Sequence, residues 1–132
     1  MRSFACDAVI IKDEKVVLIK RAAEPFKGEW ALPGGRIEDN ETAEACLVRE
    51  AKEETNLDVR PLKLVGIYSD PKRDPRGVLA AAYLCELIGG GLRGGDDAAE
   101  AKWVALKKIP KLCTDHNKIL EDATVLYKNR MQ

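Results

Sequence analysis

Three carboxylates, Glu50, Glu53 and Glu54, stand at positions i, i+3 and i+4. On a helix these positions share one face, so three negative charges would crowd within a single turn and repel one another. A compensating cation is therefore expected. Carboxylate oxygens are hard donors suited to Mg²⁺ or Mn²⁺, ions that keep some of their water and take up phosphate oxygens beside their protein ligands. The alternative for a bare Glu-x-x-Glu-Glu is a solvated acidic helix face. Arg49 directly precedes the cluster. Its guanidinium would either neutralise these carboxylates or touch a phosphorylated ligand.

The pattern around the cluster predicts a helix over residues 41–55. Thr42 suits the N-cap, and Ala43, Leu47 and Ala51 form an apolar stripe. Asn56 tolerates the left-handed backbone that ends helices. Ahead of this helix, Pro33-Gly34-Gly35 breaks regular structure. Residues 4–11 and 16–19 read as a hairpin turning at Asp13-Glu14. Residues 58–68, 78–88 and 102–106 read as further strands, and Gly89–Gly95 as a flexible connection without a P-loop ending. Ile119, Leu120, Ala123 and Leu126 predict a last helix over residues 115–127. The order implies an α/β (α+β) fold, a mixed sheet sandwiched between helices, in a single domain covering 1–132.

Among 132 residues, 22 are basic and 22 acidic. That balance argues against a nucleic-acid-binding module, which needs a basic surplus. No apolar run approaches the length of a membrane span, and no secretory leader is legible. Cys6, Cys46, Cys85 and Cys113 are irregularly spaced among apolar neighbours and read as buried reduced thiols, which implies a cytoplasmic protein.

Context then makes the acidic helix specific. Gly35, five residues, Glu41, seven residues, and Arg49-Glu50-Ala51-Lys52-Glu53-Glu54-Thr55-Asn56-Leu57 resemble the Nudix signature G-x5-E-x7-R-E-U-x-E-E-x-G-U from end to end. Asn56 replaces the last glycine and Ala51 is a small aliphatic residue. The resemblance implies the Nudix fold and a metal-dependent pyrophosphohydrolase. It also implies that Glu50, Glu53 and Glu54 hold the divalent metal, with the Gly35 carbonyl as a further ligand, and that Arg49 pairs with Glu41 to orient them. Gly34 would let the loop approach the pyrophosphate. Asp97 and Glu100 stand where family members carry a loop carboxylate acting as general base or extra ligand. The other reading of both is a solvated loop.

Ser69-Asp70-Pro71-Lys72-Arg73-Asp74-Pro75-Arg76-Gly77 resembles the SDP-x-RDPRG element of ADP-ribose pyrophosphatases, with Val78 where those relatives commonly carry histidine. Lys72, Arg73, Asp74 and Arg76 become substrate-binding candidates, since arginine grips two phosphate oxygens at once. An exposed charged hairpin is the alternative. Phe26, Trp30 and Tyr68 are candidates to stack on adenine or are plain core aromatics, and His116 reads as structural. The implied reaction is hydrolysis of a nucleoside diphosphate linked to another moiety, foremost ADP-ribose to AMP and ribose 5-phosphate. A nucleoside-triphosphate pyrophosphatase and a non-catalytic nucleotide-sugar-sensing domain are the alternatives. A homodimer is implied by resemblance alone.

Overall fold

The computed structural model describes residues 1–95 and 98–131. Strand β1 (Phe4–Lys12) turns through Asp13-Glu14 into β2 (Lys15–Arg21). Both turn residues have positive φ, 51° and 61°, the backbone that a two-residue hairpin demands. Two short strands follow, β3 (Trp30–Ala31) and β4 (Gly34–Arg36), then helix α1 (Ala43–Thr55). Strands β5 (Leu57–Tyr68), β6 (Leu79–Gly90) and β7 (Ala98–Ala105) lead to helix α2 (His116–Arg130).

The sheet is mixed, as expected. β1 runs parallel to β6 from Phe4↔Leu79 to Ile10↔Cys85 and antiparallel to β4 from Ala5↔Arg36 to Asp7↔Gly34. β5 pairs outside β6, and β2 carries β3 on one side and β7 on the other. Pro61, which cannot donate to a ladder, lies in the outer strand β5 where the register slips.

Strand β1 is covered on both sides, and its period of two sorts residues between the helices. Cys6, Ala8 and Ile10 pack with Cys46, Leu47 and Ala51 of α1. Val9 and Ile11 pack instead with Ile119, Leu120 and Ala123 of α2. Asp7 shares the parity of Val9, so its carboxylate lies on the α2 side of the sheet.

Two expectations are revised. The stretch around Pro33-Gly34-Gly35, expected to be irregular, contains β4, because the missing side chains allow it to lie against β1. Strand β7 begins at Ala98 rather than near Lys102, since Ala98–Ala101 pair with β2 despite weak strand propensity.

Candidate active site

Helix α1 starts as its sequence dictates. Thr42 Oγ1 accepts the Ala45 amide at 3.0 Å, and Asn56 closes the other end at φ 62° with its amide donating to the Lys52 carbonyl. Asparagine thus fills the glycine position without distorting the end of the helix.

Glu41 lies just ahead of the cap. Its Oε1 accepts the Glu38 amide at 3.0 Å. Arg49 then grips the same carboxylate from both sides, Nε at 2.9 Å and Nη2 at 2.6 Å. Its Nη1 donates to Glu50 at 2.8 Å and to Glu53 at 3.3 Å. One guanidinium therefore hydrogen-bonds three carboxylates, with Glu38 a fourth at 3.8 Å. The direct hydrogen bonds from Arg49 hold the Glu41 carboxyl down at about 2, and those from Glu41 push Arg49 still further above its ordinary range.

This pairing makes a pH prediction. Glu41 is depressed in the folded state, so its stabilising contribution is complete above the ordinary carboxyl value of 4.5 and is lost as pH falls through about 2. The difference in urea midpoint between the natural protein and Glu41→Gln is expected to stay constant from pH 7 to 5 and to shrink between pH 4.5 and 2. A difference insensitive to that descent would show that the pair contributes no stability.

Glu54 is buried and takes a different partner, accepting the Gly34 amide at 2.8 Å through Oε1. The two glycines are needed for different reasons. A Cβ on Gly34 would fall 2.1 Å from the Cys6 carbonyl oxygen, and one on Gly35 would fall 2.4 Å from the Glu50 carboxyl carbon. The Gly35 carbonyl, implied as a metal ligand, accepts from the thiols of Cys6 and Cys46, each at 3.6 Å.

Among the described residues, no three carboxylate, imidazole or thiol groups already converge on one point. The donor set nevertheless suits a divalent cation. Glu41, Glu50, Glu53 and Glu54 set four hard, negatively charged groups against the single charge of Arg49, and the glycine pair leaves space beside Glu50. Glu50, Glu53 and Glu54 are the residues that would hold the ion.

The loop between β5 and β6 is built on two internal clamps. The side chain of Arg73 is buried, with Nε and Nη2 on Asp115 at 2.8 and 2.6 Å and Nη1 on the Val78 carbonyl at 2.9 Å. Expected to reach substrate, its fork is instead spent on fastening the loop to the N-terminus of α2. Asp74 is buried and accepts from Arg76 through the backbone amide at 2.7 Å, Nε at 3.0 Å and Nη2 at 2.7 Å. It thereby positions Arg76, whose guanidinium carbon sits 5.7 Å from the Phe26 ring centre. Lys72 is exposed and lies outside the neighbouring cavity.

That cavity, of about 100 Å³, lies behind the glycine pair. Asp7, Phe26, Gly34, Arg36, Arg76 and His116 are among its walls. The carboxylate face of α1 and the cavity therefore meet at Gly34 and Gly35.

Residues 1–123 match the NUDIX domain family. The chain is a Nudix hydrolase. An ADP-ribose pyrophosphatase of Methanocaldococcus jannaschii is 51% identical over 119 residues, spanning 89% of this chain and 70% of the relative. The solved ADP-ribose pyrophosphatase of Streptococcus suis has a TM-score of 0.83 at 26% identity, covering 97% of this chain and 93% of its own. The Nudix domain of Shewanella oneidensis NrtR, solved in complex with ADP ribose, has a TM-score of 0.82 at 25% identity, covering 100% and 90%.

Against this Nudix frame, Asp97 lies outside the described residues. Glu100 is on β7 and sits 3.8 Å from Lys20 in an exposed pair. Of the aromatics, Phe26 lines the cavity, Trp30 lies under the Lys102 ammonium at 4.4 Å, and Tyr68 donates its hydroxyl to Asp122 at 2.7 Å. The sequence reading missed Asp7. Its signal was available as a lone carboxylate in the apolar run ACDAVII, an arrangement that costs stability unless something meets the charge.

Proposed function

We propose that this Nudix hydrolase cleaves ADP-ribose to AMP and ribose 5-phosphate with Mg²⁺, Mn²⁺ serving in its place. The observation that carries the reading is the junction at Gly34-Gly35, where a carboxylate helix face held by Arg49 meets a small, polar-walled cavity. A bond broken at the helix face would have one end of its molecule housed next to it. The loop at 69–77 and the 51% identical ADP-ribose pyrophosphatase support the choice of substrate.

When bound, the metal lowers the pKa of a coordinated water and neutralises charge on the phosphoryl oxygens. The chain's own residues do the rest. Glu41 and Arg49 fix the direction of the carboxylates, as hydrogen bonds from beyond the ligand set generally do. Glu54, tied to the Gly34 amide, couples the glycine loop to the helix. Glu53, exposed on the same face, is the carboxylate placed to accept a proton from the attacking water. Arg76, held by Asp74, presents its guanidinium beside Phe26 for a phosphate.

Incubation with ADP-ribose and with a panel of nucleoside triphosphates in Mg²⁺ tests this. Equimolar AMP and ribose 5-phosphate are expected from ADP-ribose. Pyrophosphate release confined to triphosphates would replace the reading with a triphosphate pyrophosphatase, and tight binding without cleavage would make the chain a sensor. The buried free thiols of all four cysteines support a reducing, cytoplasmic setting, and none of the described helices is long and apolar enough to cross a membrane. Exposed Leu64 and Ile67 on the outer strand β5, with Ile88 on the neighbouring β6, support a homodimer, and no nucleic-acid partner is invoked.

A further inference from the structure

Asp7 is a buried carboxylate that the chemistry above does not use. Its side chain is 9% exposed, and it lines the cavity. Among the described residues, its ion-pair neighbour is His116, whose Nε2 stands 3.9 Å away, beyond hydrogen-bond reach. The imidazole is not free to come closer. Its Nδ1 accepts the Leu32 amide at 3.0 Å, which places the ring proton on Nε2, and burial holds the ring toward its neutral form. Of the four arginines in the wall, Arg73 pairs with Asp115 and Arg76 with Asp74, while Arg21 donates to the Pro25 carbonyl and Arg36 to Ser3. Among the described residues none donates a hydrogen bond to this carboxylate, and its oxygens are not sealed off but open onto the cavity.

The acceptor faces a space that suits one kind of guest. Burial pushes its pKa up, and in either protonation state a carboxyl oxygen accepts hydrogen bonds, so hydroxyl or amine donors suit it. The cavity of about 100 Å³ beside it has room for part of a sugar or base ring. Asp7 also stands opposite Gly34 in the β1–β4 register, and the Gly34 amide is bound to Glu54. A group held at Asp7 therefore belongs to a moiety adjoining the phosphoryl centre.

We infer that Asp7 is a specificity-determining residue that accepts hydrogen bonds from hydroxyl or amine donors on a phosphate-free end of the bound nucleotide. In ADP-ribose these donors are the terminal ribose hydroxyls and the adenine amine. The inference rests on the proposed substrate, and a binding measurement separates the two. Dissociation constants for ribose 5-phosphate and AMP, titrated calorimetrically in Mg²⁺ against the natural protein and Asp7→Asn, need no turnover. One constant is expected to rise at least tenfold while the other stays within twofold. A rise for ribose 5-phosphate assigns the hydroxyls, and a rise for AMP assigns the amine. Constants that both hold within twofold, or that both rise alike, would overturn the role of Asp7.

If Asp7→Asn does not fold, the donors are removed from the ligand instead. The natural protein is then titrated with ribose 5-phosphate analogues lacking the 2- or 3-hydroxyl and with inosine monophosphate in place of AMP. At least tenfold weaker binding of one such analogue is expected, and equal binding of all of them would overturn the inference. Failure of ADP-ribose cleavage with the Asp7 effect intact would discard the substrate and keep the residue's role.

Discussion

Replacing Glu53 with glutamine is expected to lower kcat by roughly 10²–10⁴-fold, the ordinary worth of a positioned proton acceptor, while the protein stays folded. The side chain is 41% exposed and its contact with Arg49 is 3.3 Å long. An exposed pair of that kind contributes little to stability, so the melting temperature should move by no more than a degree or two. Removing the charge subtracts a hard ligand from a face whose excess negative charge is what would attract Mg²⁺, so metal titration should also show weaker binding. Glu54→Ala gives a contrasting result. That carboxylate is buried and holds the Gly34 amide at 2.8 Å, and its loss is expected to lower stability and activity together. Near-normal turnover in Glu53→Gln would remove Glu53 from the reaction and leave the metal role to Glu50 and Glu54.

The contrast between Glu53 and Glu54 marks the limit of what the sequence disclosed. Spacing alone placed three glutamates on one helical face, and Thr42 and Asn56 set the ends of α1 because capping is a local property. The pairing of Arg49 with Glu41 came through resemblance, and the structure adds its two-pronged form. What spacing could not reveal is that Glu54 turns inward to a strand while Glu53 stays in solvent. The loop at 69–77 shows the same boundary. Its arginines advertised phosphate binding, yet Arg73 is taken by Asp115, forty-two positions away. A charged residue's partner is a tertiary fact, and a loop rich in both signs offers it many choices. Asp7 is the converse case. Its oddness inside an apolar strand was visible, but its parity with Val9 gained meaning only once α2 was known to cover that face.

The glycine pair separates the fold from the site more sharply than any carboxylate does. In Gly35→Ala the new Cβ would stand 2.4–2.7 Å from the carboxyl atoms of Glu50. A side chain can move, so Glu50 is expected to swing away from Nη1 of Arg49 and out of the donor set. The result should be a folded protein with weakened Mg²⁺ binding and kcat reduced by a factor of about 100, the scale on which disturbing the groups around a metal costs affinity or activity. In Gly34→Ala the obstacle is the Cys6 carbonyl oxygen at 2.1 Å, which belongs to the backbone of β1 and cannot rotate aside. β4 must separate from β1, giving up the register from Ala5↔Arg36 to Asp7↔Gly34, and a loss of about 3 kcal/mol is expected from overpacking of this kind. Denaturant melts and metal titrations on the two variants would test the division. If Gly35→Ala lost stability as Gly34→Ala does, with its metal affinity unchanged, Glu50 would have no part in holding the ion. If it behaves as expected, two neighbouring glycines perform separable duties, one permitting the strand and the other making room for the carboxylate.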